Sequence, residues 1–125
     1  EQPCPELAGL IEQGHLDDHF VRDVCTEYLE PLLSREIEVV VLGCTHFPFV
    51  QPLLEELTSG RIQFIDPAFE TSELVRRRLE GKDLFNPQKT AGTVSLYFTK
   101  DIELGDTLSA SFLDTSRRSI EHITL

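Results

Sequence analysis

Three consecutive residues, Cys44, Thr45 and His46, have the types and spacing to do chemistry together. A thiol acts as nucleophile or general base once it ionises. Its ordinary pKa of about 8.5 falls beside a helix N-terminus or an imidazolium. His46, two positions after Cys44, is close enough in the chain to exchange a proton with that thiol or to hold a carboxylate. A thiol and an imidazole could also ligate a metal. No second pair at zinc spacing accompanies them, and a structural zinc site takes four ligands, so no metal is expected. The alternative gives these residues no chemistry, with Cys44 a small buried hydrophobe and His46 a helix cap.

The flanking residues say how the three are held. Val39-Val40-Val41-Leu42 is an apolar, mostly β-branched run that reads as a strand covered on both faces. Gly43 breaks it, and Pro48 presets φ for the first turn of a following helix. Cys44 to His46 then lie in a loop at the carboxyl end of a strand, where open α/β sheets place their ligands.

The rest of the chain alternates in the same way. Residues 5–13 read as a short amphipathic helix with Leu7, Leu10 and Ile11 on one side and Gly14 as its stop. Residues 17–34 make the longest helix, capped by Asp17 or Asp18, with a stripe of Phe20, Val21, Val24, Cys25, Tyr28, Leu29, Leu32 and Leu33. On that stripe Cys25 belongs to the core, while His15 and His19 belong to the surface. Residues 48–58 read as one helix with Pro52 at its fifth position, Arg61–Ile65 as a strand, and about 69–80 as a further helix. The run Arg76-Arg77-Arg78 lacks aromatic partners and reads as a solvated or interface face. Gly81 to Gly92 is the best linker candidate. Beyond it come a strand over Val94–Thr99, weak helical spacing through Leu104, Leu108 and Phe112 within 101–116, and a short final strand over Ile120–Leu125. Strands alternating with helices give an α/β class with a parallel, wound sheet.

Composition narrows the function. With 125 residues, 40% hydrophobic and 26% charged, the chain has the make-up of an ordinary globular protein of one domain at most. A net charge of −11 opposes binding to nucleic acid or to an anionic membrane. No apolar run approaches the ~20 residues of a membrane span, and no signal peptide is visible. Three cysteines without close pairing suit a reducing compartment, so a cytoplasmic location is expected.

Gly43-Cys44-Thr45-His46-Phe47-Pro48 resembles the signature around the second catalytic cysteine of bacterial glutamate racemases. Cys4-Pro5 followed by Leu10-Ile11-Glu12-Gln13-Gly14 resembles that family's mid-chain segment with an active-site glutamate. Phe64-Ile65-Asp66-Pro67-Ala68 is similar to its strand-turn-helix unit, and Val94-Ser95-Leu96-Tyr97-Phe98-Thr99 to its late strand. The resemblance implies a three-layer, parallel-sheet fragment of a two-domain aspartate/glutamate racemase-like fold. Family members are about twice this long, and the chain starts at Glu1 without Met, which together suggest a C-terminal half. Residues 1–88 would be a partial α/β domain carrying the Cys-Thr-His loop. Residues 89–125 would return to the other domain, whose Asp-Ser and Asn-Thr motifs this chain lacks. Without that domain the tail should be poorly placed, partly disordered or paired with a second copy in a homodimer.

The chemistry implied is racemisation of glutamate without a cofactor, by two cysteines on opposite faces of the α-carbon, to supply D-glutamate for the bacterial cell wall (peptidoglycan). Cys44 would be one of the two. Thr45 would bind the substrate carboxylate, His46 would assist Cys44 or contact the substrate, and Glu12 would hold a proton or orient His46. Cys4 lacks the Asn-Thr neighbour of the family's other cysteine, so the second base is expected in a missing N-terminal half, and this chain alone is expected to be inactive. Aspartate racemases carry a glutamate where His46 stands, which favours glutamate as substrate. The alternatives are a non-catalytic α/β fragment or binding module and a racemase or isomerase of a related acid such as aspartate.

Overall fold

A computed structural model describes residues 1–88, 90–110 and 112–124. The chain divides into two compact units, Glu1–Leu84 and Phe85–Leu125, with the division inside the Gly81–Gly92 segment.

The first unit contains α1 (Leu7–Glu12), α2 (His19–Ser34), β1 (Val39–Val41), a 3-10 turn (Phe47–Val50), α3 (Gln51–Thr58), β2 (Gln63–Ile65) and α4 (Pro67–Glu80). Local chemistry sets most of these limits. Gly14 at φ +89° follows α1, a left-handed geometry that costs a Cβ-free residue nothing. The Asp18 carboxylate accepts from the Phe20 and Val21 amides to open α2, and Asp66 accepts from Ala68 at 2.9 Å to open α4. The expected single helix over 48–58 is two elements. Pro52 in an α-helix begun at Pro48 would set its ring against the carbonyl four residues back. The chain instead makes a 3-10 turn and restarts, which puts Pro52 in the first turn of α3.

β1 and β2 pair in parallel, with Val39 opposite Gln63, Val40 opposite Phe64 and Val41 opposite Ile65. The core gathers around them from α1, α2, the 3-10 turn, α3 and the strands, with Ile11, Val21, Cys25 and Val50 fully buried. Two expectations are corrected here. β1 is not covered on both faces: Val40 packs against the core, while Val39 and Val41, which alternate to the other face, are 50% and 60% exposed. Phe20 leaves the α2 stripe and is 56% exposed, lying at the helix start against the rings of His15 and His19. α4 carries no buried residue, and Arg76 on it pairs with Glu73 and Glu80.

The second unit contains β3 (Val94–Phe98), α5 (Ile102–Ala110), a 3-10 turn (Thr115–Arg117) and β4 (Arg118–His122). β3 and β4 form their own parallel pair, with Leu96 opposite Ile120. The tail, expected to be poorly placed without a sheet, thus builds a local strand-helix-strand unit. Its last strand starts and ends earlier than Ile120–Leu125, and Leu125 lies outside the described residues, as does Ser111 within the expected 101–116 helix. Among the described residues the strands form two sheets of two parallel strands each.

Candidate active site

The loop after β1 is anchored at its root, where the Leu42 amide donates to the Ile65 carbonyl at 2.9 Å and extends the strand pairing by one bond. At its far side the Phe47 amide donates to the Cys44 carbonyl (3.2 Å) and the Phe49 amide to the His46 carbonyl (3.0 Å). Cys44, Thr45 and His46 are therefore held between a strand end and a tight turn. His46 occupies the cap position of that turn, but its side chain makes no capping bond.

The imidazole instead bridges two groups. His46 Nδ1 lies 3.6 Å from Cys44 Sγ, and His46 Nε2 lies 2.9 Å from Glu12 Oε1. Glu12 is the last residue of α1 and stands 34 positions from His46 in the chain, so the fold rather than local spacing joins them. An ionised carboxylate can only accept, and the neutral ring therefore gives its one N–H to Glu12 from Nε2. The Nδ1 lone pair then faces the thiol. This chain of contacts can draw a proton from Cys44 and return it, with the carboxylate stabilising the imidazolium formed in between. The ring is 29% and the carboxylate 45% exposed, open enough to meet a solute.

Thr45 is exposed beside them. Cys44 also lines an apolar groove of about 560 Å³, shared with Cys4, Leu29, Val39, Val41 and Phe47 among others; Glu12, Thr45 and His46 do not line it. The structure thus brings Cys44, His46 and Glu12 together. It also places Cys4 on the groove that holds Cys44, which no pattern in the sequence indicated, because nothing periodic connects the coil at residues 1–4 with the loop after β1. Burial pushes the Cys4 thiol up, and a charge on Cys44 pushes it further. Cys25 is fully buried, and burial raises its thiol to about 11. Among the described residues no group of three His, Cys, Asp or Glu side chains could hold a metal ion, and no helix is long and apolar enough to cross a membrane.

No protein-family model matches the sequence. Individual relatives do. A glutamate racemase of Levilactobacillus brevis is 30% identical over 122 residues, which is 98% of this chain and 44% of that protein. The chain is a glutamate racemase homologue. It spans less than half the length of the curated racemases it matches. The crystal structure of the Thermus thermophilus glutamate racemase in complex with β-chloro-D-alanine superposes with a TM-score of 0.79 at 30% identity, covering 98% of this chain and 46% of that one. The Francisella tularensis glutamate racemase in complex with D-glutamate shares the fold at 24% identity with a TM-score of 0.78, covering 98% of this chain and 45% of that one. The α/β arrangement with parallel strands therefore corresponds to half of a glutamate racemase structure.

Proposed function

We propose that this homologue carries one acid/base half of a cofactor-independent glutamate racemase site, with Cys44 as the thiol on one face of the substrate α-carbon. The observation that carries the reading is the line of contacts Cys44–His46–Glu12, at 3.6 and 2.9 Å. Racemisation needs a base to take the α-proton and an acid to return one from the opposite face. A thiol serves in both directions when a neighbour can hold its proton. Cys44 as thiolate removes the α-proton of one enantiomer, and Cys44 as thiol protonates the carbanion formed from the other. His46 holds the proton in between, and Glu12 fixes the ring so that Nδ1 stays toward sulfur. Thr45, exposed at the tip of the same loop, binds the substrate carboxylate.

The opposite thiol belongs to the portion of the racemases that this chain does not span, so the chain alone is inactive in this reading. Support for glutamate as substrate comes from the Francisella tularensis homologue, crystallised with D-glutamate. The three-layer, two-domain architecture, a cytoplasmic location and a place in cell-wall precursor supply belong to the same proposal.

Exchange of the glutamate α-hydrogen for deuterium in D₂O, followed by proton NMR, tests it. The chain is assayed alone and with a separately made remaining portion of a homologous racemase. Exchange is expected in the mixture only, and Cys44→Ala should lower it by at least ~100-fold, the usual weight of a general acid/base, with the circular dichroism spectrum unchanged. Exchange retained by Cys44→Ala, or none from two parts shown to associate, would overturn the assignment and leave a binding module.

A further inference from the structure

We propose that Cys4 and Cys44 form a reversible disulfide across the apolar groove when the protein meets a peroxide, with Cys44 the thiol attacked first and Cys4 the one that resolves it. This inference concerns the thiols themselves and does not rest on the racemase reading. All three cysteines are free, and all three line the one groove. They differ in access. Cys25 is sealed, at 0% exposure on α2, whereas Cys4 and Cys44 are both half-buried. Both accessible cysteines also lie outside the helices and strands, Cys4 before α1 and Cys44 in the loop after β1. A charge on Cys44 acts on Cys4, and one on Cys4 acts on Cys25, so exposure is what singles out Cys4 and Cys44 as the pair.

The two thiols have different chemistry. Cys44 has an imidazole nitrogen 3.6 Å from its sulfur to receive its proton, and a thiolate is the form that peroxides oxidise. Cys4 Sγ donates to the Gln2 carbonyl at 3.5 Å, and burial together with the neighbouring sulfur keeps it protonated. In the first step the Cys44 thiolate attacks one oxygen of hydrogen peroxide. The O–O bond breaks, the departing oxygen takes a proton and leaves as water, and Cys44 becomes a sulfenic acid. In the second step the Cys4 sulfur attacks the Cys44 sulfur, the S–O bond breaks, and the hydroxide leaves as water with the Cys4 proton. Overall, two thiols are oxidised to one disulfide and one peroxide is reduced to two waters. A thiol reductant reverses it, as suits a transient bond in a reducing compartment. The bond would take Cys44 away from His46 and silence any proton transfer there.

Trypsin separates the three cysteines cleanly, because cleavage after Arg22, Arg35 and Arg61 leaves Cys4, Cys25 and Cys44 on peptides 1–22, 23–35 and 36–61. The reduced 125-residue chain, dilute and at neutral pH, is treated with hydrogen peroxide and digested without reductant for mass spectrometry. Free thiols should fall from three to one, with peptide 1–22 joined to 36–61 and peptide 23–35 unmodified. A thiol reductant should restore both peptides. Cys4→Ser should abolish the cross-link and leave a sulfenic acid on Cys44 that dimedone captures. A link through Cys25, a link between two chains, or a sulfenic acid persisting on wild-type Cys44 would each overturn the proposal.

Discussion

The two units use the same device, a pair of parallel strands joined through a helix, and reach opposite results. Around β1 and β2 eleven apolar residues are buried, every one between Leu7 and Phe64. Around β3 and β4 no described apolar side chain reaches that state, and the buried positions of α5 are Gly105 and Ser109. The strands do not make the difference, since β3 and β4 are the longer pair. The first unit adds α1 and α2, which pack on one another and on the elements after β1, while the second has α5 alone. A strand-helix-strand unit has too little apolar surface of its own to bury, and extra layers make the core. The second unit relies instead on polar contacts. Arg118, whose side chain is 7% exposed, pairs with Asp106 and donates to the Ser109 hydroxyl and the Asp106 carbonyl.

The contrast can be broken at each end. Ile11→Ala, at a fully buried site, should cost the first unit about 2–5 kcal/mol, while amides of β3 and β4 keep their exchange rates. Hydrogen exchange by mass spectrometry reads both units at once, and equal loss in the two would mean that they unfold together. Arg118→Met should cost the second unit about 1 kcal/mol by removing the guanidinium that donates to the Ser109 hydroxyl and to Asp106. No change in β4 protection would show that polar contacts do not hold that unit.

The smallest effect sharpens the comparison through pH. Burial raises the Cys25 thiol to about 11, so the folded protein keeps a proton that the unfolded chain releases. The stability this adds is whole below about pH 9 and is lost as pH rises toward 11. Denaturant midpoints of the first unit should fall across that window, and Cys25→Ala should flatten the slope by less than one proton. An unchanged slope would place the titration elsewhere.

Much of this was legible in the residues. Asp18, Asp66 and Gly14 mark helix ends because each acts on backbone within a few positions, and that chemistry is local. The restart at Pro52 was legible in principle, since its clash with position 48 follows from the ring alone. The openness of β1 was not, because an apolar run states that a strand wants cover and not whether the chain supplies it. Nor could spacing find the Glu12–His46 contact; resemblance to the racemases supplied it. The groove that holds Cys4 and Cys44 had no signal, for it depends on how a coil and a distant loop share one wall.

The position of Glu12 has a consequence for how this protein can vary. The carboxylate sits on the final residue of a six-residue helix whose Leu7 and Ile11 are locked into the core. Adding or removing one residue between Ile11 and Glu12 would swing it by about 100° around the helix axis, away from His46. Substitutions on the exposed side of α1 leave that aim unchanged. A change of length does not, so homologues that keep the Glu12–His46 contact should differ here in letters and not in gaps.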